Sequence, residues 1–315
     1  MKVVALAGGV GGARLADGLR RQLPTGELTV VVNTADDFEH LGLRISPDLD
    51  TVTYTLAGLE NPETGWGRAD ETWSFLEALE RLGGPTWFRL GDRDLAVHME
   101  RTALLASGLP LSEVTRRIAA GLGVRPAVLP MSDDPVRTVV CTDAGELPFQ
   151  EYFVARRCQP VVRSFRFEGV EAARPTSGVV EALIPAPIVI LGPSNPWVSL
   201  DPILAVPGVR ELLHGKTVVG VSPLVGGRAL KGPAAKMALE LGLPATPLTV
   251  AAHFHSILSG FVVDQVDASL ADSIERMGVR TLVTNTIMRD GDSRAALASD
   301  VLRLAEAVAA GSASP

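Results

Sequence analysis

The sequence predicts a Rossmann-like α/β fold: a doubly wound, mostly parallel sheet in a three-layer α/β/α arrangement, with a small inserted all-helical subdomain. Three observations support this prediction. Continuous Val/Ile runs, typical of strands covered on both faces, alternate with helical stretches. A glycine-rich turn at Gly8–Gly12 directly follows the first of these runs. A long stretch from about Asp70 to Leu122 has helical periodicity and no strand pattern.

The predicted strands of the sheet are short apolar runs, and a helix at Ala13–Gln22 follows the first of them. They are Val3–Ala7, Leu28–Val32, Ala127–Leu129, Ile188–Leu191, Thr217–Val221, Phe261–Val263 and Thr281–Thr284. The region Val136–Phe167 is β-rich, with a hairpin turn at Asp143–Gly145, and predicts an antiparallel extension. The closing helix is expected from Ser293 to Ala309.

The domain organisation follows from the strandless stretch. Its predicted helices are Asp70–Leu82, Asp94–Ser107 and Ser112–Leu122. We therefore expect a Rossmann-like domain made of residues 1–65 and 126–315, which carries the ligand site, and a helical insertion subdomain at residues 66–125.

Composition and charge exclude several classes of protein. Hydrophobic residues make up 46% of the 315 residues, enough for a well-buried core. The net charge of −7 argues against a general nucleic-acid-binding protein, which needs a basic face. No apolar run approaches the roughly 20 residues that span a bilayer, and the chain opens on a strand rather than a signal peptide, so we expect a cytoplasmic protein. Cys141 and Cys158 have no metal-ligand spacing.

The glycine-rich turn is the first candidate site. Glycines between a strand and a helix allow a phosphate to approach the backbone, and the helix N-terminus favours negative charge. We expect Gly9, Val10, Gly11 and Gly12 to bind phosphate. The turn is not a Walker loop, and Arg14 stands where the dinucleotide-binding pattern has its third glycine.

A second candidate site is acidic and follows the second predicted strand. Its carboxylates are Asp36, Asp37, Glu39, Asp48 and Asp50. Ligands of open α/β sheets sit at this end of the strands, and carboxylates beside a phosphate can hold Mg²⁺. We predict that Asp36 and Asp50 bind the metal ion. Asp48, directly after a proline, is predicted to cap a helix or turn instead.

Three further segments carry polar side chains. At Arg89–Asp94, Arg89 and Arg93 are candidates for holding a phosphate or carboxylate, Asp92 is the predicted helix cap, and His98 is expected to pack or face solvent. Two loops follow later strands and are expected to bind nucleotide through Ser132 and Asp133, and through Ser194 and Asn195.

These residue types favour one kind of chemistry. The sequence has no Ser/His/Asp elbow and no zinc-like histidine pair, so covalent catalysis has little support. Metal-assisted transfer of a phosphoryl-type group fits better. The alternative from the residues alone is an NAD(P)-dependent oxidoreductase, because strand, glycine loop and helix form its usual opening.

An ordered set of segments resembles the 2-phospho-L-lactate transferase family of coenzyme F420 biosynthesis. The segments are GGVGGARLADGL, VVNTADDFEHLGLRISPDLDTVTYTLAG, GWGRADETW, LGDRDLAVH, LPMSDDPV, FQEYFV, GPSNPWVSLDPIL and VSPLVGGRALKGPA. They extend from Met1 to about Ala235. A related family of the same fold, which binds nucleotide sugars in regulation, is the non-catalytic alternative.

The resemblance implies a reaction and a site. A phospho-three-carbon-acid moiety would pass from a GDP-linked donor to the terminal ribityl hydroxyl of the deazaflavin FO, giving F420-0 or its dehydro form and GMP, with help from Mg²⁺. The resemblance places Asp50 and Arg89 at the deazaflavin and implies a homodimer. From the carboxylates gathered beside the glycine turn, we expect Asp50 to be the catalytic residue, which orients the attacking hydroxyl or acts as its base. No residue distinguishes phospholactate, phosphoenolpyruvate and phosphoglycerate as the acid.

Overall fold

The computed structural model describes residues 1–312. Fourteen strands occur in this range: β1 (Val3–Ala7), β2 (Leu28–Val32), β3 (Phe38–His40), β4 (Leu43–Ile45), β5 (Ala127–Pro130), β6 (Arg137–Thr142), β7 (Gly145–Pro148), β8 (Val162–Glu168), β9 (Ile188–Leu191), β10 (Thr217–Val221), β11 (Leu224–Val225), β12 (Arg228–Ala229), β13 (Gly260–Asp264) and β14 (Arg280–Thr284).

Eleven α-helices lie in the same range: α1 (Gly9–Gln22), α2 (Pro47–Ala57), α3 (Ser74–Arg81), α4 (Asp92–Ala106), α5 (Leu111–Gly121), α6 (Ser177–Leu183), α7 (Asp201–Ala205), α8 (Ala234–Glu240), α9 (Pro247–His253), α10 (Ala271–Glu275) and α11 (Gly291–Ser312). Short π-helical or 3-10 turns occur at Glu151–Ala155, Val170–Ala172, Pro196–Leu200, Glu211–Leu213 and Gln265–Leu270. No helix of the described chain is both long and apolar enough to cross a membrane.

The central sheet has seven strands in the order β14-β13-β10-β9-β1-β2-β5, and every neighbouring pair is parallel. The chain thus starts in the middle, runs to one edge through β2 and β5, and then returns to β9 on the other side of β1. This reversal between β1 and β9 is a topological switch point, where open α/β sheets bind ligands. The predicted Rossmann-like α/β class is confirmed.

Successive side chains of β1 point into two different cores, one on each face of the sheet. Val4 and Leu6 belong to the core that includes α6 to α10, whereas Val3 and Ala5 belong to the core shared with α1, α2 and α11. All five residues of the strand are buried. Coverage of both faces explains why the strand sequence is continuously apolar, as predicted from the Val/Ile runs.

Helix α1 begins at Gly9, four residues before the predicted start at Ala13. Glycine disfavours helix formation, so the sequence pattern hides the first turn. The predicted start of α3 at Asp70 is also wrong, because Asp70 has a φ of +54° and the helix begins at Ser74. The other predicted strands and helices are found within a few residues of their expected bounds.

Four helices, α2 to α5, lie between β4 and β5. The last three, α3, α4 and α5, correspond to the predicted strandless stretch. Their starts are capped reciprocally. Glu71 accepts hydrogen bonds from two N–H groups of the first turn of α4, at 2.8 Å each. Asp92 accepts from two N–H groups at the start of α3, at 3.1 and 3.0 Å. The prediction that Asp92 caps the helix beginning beside it is therefore wrong. The limits of the helical insertion, residues 66–125, stay a prediction.

The predicted β-rich extension is a three-stranded antiparallel sheet in the order β7-β6-β8. Its first hairpin turns at Asp143–Gly145, as expected, with Thr142 opposite Gly145. The predicted Rossmann-like domain reaches residue 315, and its last residues, 313–315, lie outside the described chain.

Candidate active site

A cleft of about 630 Å³ opens at the switch point of the sheet. The turn after β1 and the loop after β9 form one wall, and α2 forms its floor. Arg89 and the first turns of α4 also line the cleft, as do residues of the segment Phe149–Arg157, which follows β7. Segments far apart in sequence therefore meet at one site.

The glycine turn contacts the loop after β9 closely. The Gly8 N–H donates to Ser194 Oγ at 3.1 Å. Gly9, Val10 and Gly11 line the cleft, as does Ser194. Gly12 lies behind them, where an added Cβ would be 2.5 Å from Ser194 Oγ. The structure thus brings the predicted phosphate-binding turn and Ser194 together.

Asp48 occupies the N-terminus of α1. Its Oδ1 accepts a hydrogen bond from the Gly9 N–H at 2.7 Å, and its Oδ2 accepts from Asn33 Nδ2 at 3.0 Å. The prediction that Asp48 caps a helix is confirmed, although the helix is α1 rather than its own. Burial raises the pKa of this carboxyl to about 6. The N-terminus of α1 thus already holds a carboxylate where a phosphate is expected.

Asp36 lines the cleft and has a carboxylate oxygen without a hydrogen-bond partner in the described chain. The residue is 5% exposed, and its Oδ1 has no hydrogen-bond partner within residues 1–312. Burial raises the pKa of Asp36 well above its usual range, and the nearby charge of Asp48 adds to the shift.

Asp37 instead accepts from the Ser46 hydroxyl at 2.6 Å and faces a separate cavity of about 220 Å³. Burial raises the pKa of Asp37 to about 8.

Asp50 lines the cleft but is already paired with a cation. The Arg101 guanidinium donates to both of its oxygens, with Nη1 at 3.1 Å from Oδ2 and Nη2 in a closer contact with Oδ1. His98 lies beside the pair, with Nδ1 3.7 Å from Asp50 Oδ2. His98 is 1% exposed and Arg101 is 3% exposed. The prediction that His98 is a surface or packing residue therefore missed its place in the cleft wall.

Arg89 lies on an aromatic wall. Its guanidinium stacks over the Trp73 ring at 4.2 Å. The preceding Trp87 and Phe88 pack edge-to-face on the β3–β4 hairpin, through His40 at 5.1 Å and Phe38 at 4.9 Å between ring centroids. Phe149 and Phe153 also line the cleft, and their rings stack with centroids 5.5 Å apart. The cleft can therefore accept a planar ring next to a cation.

The other predicted nucleotide contacts divide into two groups. Asn195 lines the cleft, but its Oδ1 accepts from the Trp197 N–H as a helix cap. Ser132 and Asp133 do not reach the cleft. The Ser132 hydroxyl donates to the Arg174 carbonyl at 2.6 Å, and Asp133 accepts from the backbone and hydroxyl of Ser112 at the start of α5. These bonds give Ser132 and Asp133 structural partners instead.

Two cationic side chains from late segments line the cleft and were not predicted as site residues. Arg157 follows the π-helical turn of the extension and has a φ of +50°. Lys231 follows β12, and its ammonium group donates to the Thr64 carbonyl at 3.2 Å. Lys231 lies within the segment VSPLVGGRALKGPA and Arg157 follows the segment FQEYFV, both of which carry the resemblance. Neither segment marks these side chains as site residues, because their proximity to the glycine turn depends on the fold.

The chain matches the family described as 2-phospho-L-lactate transferase CofD over residues 3–293. It is 45% identical over 318 residues to a Streptomyces griseus subsp. griseus protein named phosphoenolpyruvate transferase, covering 98% of this chain and 100% of the relative. It is 39% identical over 306 residues to a protein of Methanosarcina acetivorans named 2-phospho-L-lactate transferase, covering 97% and 100%.

A solved structure supports the fold separately. The crystal structure of a upf0052 family member from Bacillus halodurans superposes with a TM-score of 0.60 at 15% identity, covering 96% of this chain and 98% of that one. At this identity the likeness concerns the fold alone. The family match over nearly the whole chain and the two curated relatives confirm the resemblance found in the sequence segments: the chain is a transferase enzyme and belongs to the 2-phospho-L-lactate transferase CofD family.

Proposed function

We propose that the protein transfers a phospho-three-carbon-acid moiety, phospholactyl or phosphoenolpyruvyl, from a GDP-linked donor to the terminal ribityl hydroxyl of FO. The products would be F420-0, or its dehydro form, and GMP. The observation that carries this proposal is the composition of the cleft, which has a glycine turn on one wall and an aromatic wall with Arg89 and Asp50 on the other. Relatives with both kinds of transferase name leave the acid open.

The donor diphosphate is expected along Val10 and Gly11. Asp48 already accepts from the Gly9 N–H, so an anion can approach the remaining first-turn amides of α1 but is repelled from Gly9. Arg157 and Lys231 line the same cleft and can balance the donor's negative charge. The guanine is expected near Ser194 and Asn195, with hydrogen bonds from the loop backbone, because both side chains have internal partners.

The acceptor is expected on the opposite wall. The deazaflavin ring would stack between the aromatic side chains, with Arg89 at its polar edge. Its ribityl chain would then extend toward Asp50, which accepts a hydrogen bond from the attacking hydroxyl. The hydroxyl oxygen forms a bond to the phosphorus that carries the acid, the bond from that phosphorus to the GMP oxygen breaks, and the hydroxyl proton is released.

Asp36 fits Mg²⁺ better than Asp50 does. Magnesium prefers oxygen ligands, and Asp36 lines the cleft and has a buried carboxylate oxygen without a hydrogen-bond partner in the described chain. Both oxygens of Asp50 accept bonds from Arg101, so only their remaining lone pairs are free. When bound, Mg²⁺ would neutralise the diphosphate charge as GMP leaves. We keep Asp36 and Asp50 as the proposed ligands, with Asp36 as the principal one.

The proposal also includes a homodimer and a cytoplasmic location, both inferred from the family resemblance and the sequence. The NAD(P)-dependent alternative has less support. Arg14, at the position of the third glycine, donates to the Met288 carbonyl at 3.0 Å. Asn33, at the end of β2 where such enzymes bind ribose, is fully buried and holds Asp48.

The test is direct incubation of the protein with FO, Mg²⁺ and each of three GDP-linked acids: phospholactate, phosphoenolpyruvate and phosphoglycerate. Mass analysis of the deazaflavin identifies the product and therefore the acid. A thermal-shift titration with GDP and with NADPH separates the transferase from the oxidoreductase, because only a ligand that binds the folded protein raises Tm. No product with any of the three acids would refute the proposal.

A further inference from the structure

Asp50 belongs to a network of buried polar groups, and the proposed function assigns no role to Arg101 and His98 in that network. Arg101, on the third turn of α4, donates to both Asp50 oxygens and also to the backbone carbonyl of Arg44 at 3.3 Å. Its pKa is raised: burial alone would lower it, but the charge of Asp50 more than offsets that effect. The guanidinium is therefore a permanent cation fixed beneath the cleft.

The tautomer of His98 follows from its contact with Arg101. Arg101 Nη1 lies 3.1 Å from His98 Nδ1. A guanidinium can only donate, so Nδ1 must accept and carry no proton. The imidazole proton is therefore on Nε2, which lies 3.2 Å from Asp94 Oδ2. Nε2 has no hydrogen-bond partner in the described chain, so this second contact is electrostatic.

The network of buried polar groups also includes Tyr54, which lines the cleft. The Tyr54 hydroxyl donates to Asp94 Oδ1 at 2.5 Å. The pKa of Asp94 is lowered: burial opposes the shift, but His98 and the Tyr54 hydroxyl more than compensate. Asp50 and Asp94, two carboxylates that line the cleft, are thus linked through Arg101 and His98.

Ligand atoms of Asp50, Asp94 and His98 lie within 4.8 Å of one another, an arrangement that resembles a metal site. Arg101, however, already supplies the positive charge that such a group requires, and His98 Nδ1 is directed at it. Magnesium also disfavours imidazole ligands. The protein itself therefore neutralises this cluster, and its three side chains do not act together as a three-ligand ion site.

We propose that Arg101 and His98 are positioning residues for the transfer reaction: Arg101 fixes the orientation of the Asp50 carboxylate toward the ribityl hydroxyl, and His98 locks the Arg101 guanidinium in the plane that this requires. This inference rests on the proposed function. It assigns Asp50 the role of a fixed anion that orients the acceptor, and it gives two buried residues of α4 a purpose beyond folding.

Arg101→Lys tests the proposal while retaining the buried charge. Lysine is a point charge and cannot reproduce the planar fork that contacts both Asp50 oxygens and His98. Misplacing a catalytic group by about 1 Å costs about 10²-fold, so we expect kcat to fall about 10²-fold, with GDP affinity unchanged. Arg101→Ala should be much slower still, and added guanidinium chloride should restore part of its rate, whereas sodium chloride at the same ionic strength should not.

Arg294→Lys is the matched control. Arg294 is also buried and pairs with the carboxylates of Asp17 and Glu60, away from the cleft. The Arg294→Lys protein should have a lower Tm, as the Arg101→Lys protein should, but its kcat should equal that of the wild type. If Arg101→Lys lowers Tm yet leaves the kcat of the folded protein unchanged, Arg101 is structural only and the proposal fails.

A second measurement does not depend on activity. The imidazole nitrogen shifts of ¹⁵N-histidine-labelled protein report the tautomer, and His98 is assigned by comparison with His98→Gln. We expect a neutral ring with the proton on Nε2 in the wild type and a changed spectrum in Arg101→Lys. A proton on Nδ1 in the wild type would overturn the proposal. Wild-type protein without product in the assay would instead refute the proposed function and leave the spectrum to decide the geometry.

Discussion

Gly12→Ala should separate α1 from the strand and loop beneath it. An added Cβ at Gly12 would lie 2.5 Å from Ser194 Oγ, 2.8 Å from the Cβ of Ala7 and 3.0 Å from the Cα of Ala7. Comfortable contact between carbon atoms needs about 3.5–4.0 Å, so the first turn of α1 must move by about 1 Å. Ala7 lies in β1, a central strand paired on both sides, and cannot give way.

The magnitude follows from two losses. Forcing an extra methyl group into a packed interior costs about 1–3 kcal/mol. The same movement breaks the bond from the Gly8 N–H to Ser194 Oγ, which contributes about 1 kcal/mol. We therefore expect the free energy of unfolding to fall by about 3 kcal/mol. Because this contact aligns two segments of the cleft wall, GDP affinity should fall at least about tenfold, or ~1.4 kcal/mol.

Urea denaturation measures the stability change, and calorimetric titration measures GDP binding. Gly121→Ala is the control, because it lies at the end of α5 with no atom within 4 Å of the added Cβ. It should be neutral or stabilising by up to about 1 kcal/mol. A Gly12→Ala protein that unfolds like the wild type and binds GDP normally would show that the helix and loop are not in tight contact.

Four further predictions concern the carboxylates and the aromatic wall. Asp50→Asn should abolish transfer while GDP still binds, and should cost about 3 kcal/mol of stability because its buried guanidinium partner loses its counter-charge. Arg89→Ala should weaken FO binding about tenfold, measured by deazaflavin fluorescence, through loss of a charged contact worth ~1.5 kcal/mol, and leave GDP affinity unchanged. Asp37 and Asp48, with pKa values raised to about 8 and about 6, should make the free energy of unfolding fall as pH rises from 5 to 8. Mg²⁺ should stabilise the protein at pH 8, and Asp36→Asn should remove this effect.

The sign of the pH dependence follows from proton binding. A carboxyl whose folded pKa lies above its unfolded value binds more protons in the folded state over that window. Stability from these groups is thus fully present below the unfolded pKa near 3.9 and is lost as pH rises through 6 and then 8. Urea midpoints that increase steadily from pH 5 to pH 8 would contradict this account of the pH dependence. An Asp50→Asn protein that is still active would contradict the role assigned to Asp50.

The class of fold was predictable because it depends on local signals. Strands such as β1 and β10 are covered on both faces, so their sequences are continuously apolar and stand out from the helices. Strand order was not predictable, because an apolar run carries no mark of its neighbours. The return of the chain to β9, beside β1, is therefore visible only in three dimensions, and this return creates the cleft.

Within the site, the sequence identified the residues that lie next to a recognisable turn. Gly9, Asp36 and Asp50 follow β1 and β2 closely, and the fold brings them to one cleft. His98 and Arg101 were missed, although with Asp94 they have the i, i+4 and i, i+7 spacing of one helix face. Burial decides whether such a face is solvated or part of a site, and the sequence does not report it.

The four carboxylates of the cleft differ in how their charge is balanced, and this difference explains why one site can hold so much acid beside an anionic donor. Asp50 has the Arg101 guanidinium, and Asp94 has His98 and the Tyr54 hydroxyl. Asp48 has only the dipoles of a backbone N–H and a side-chain amide, so burial raises its pKa. Asp36 has an oxygen with no partner at all in the described chain. Its charge is the one that an arriving cation can stabilise most, so cation binding should converge on Asp36 while Asp50 keeps its fixed geometry.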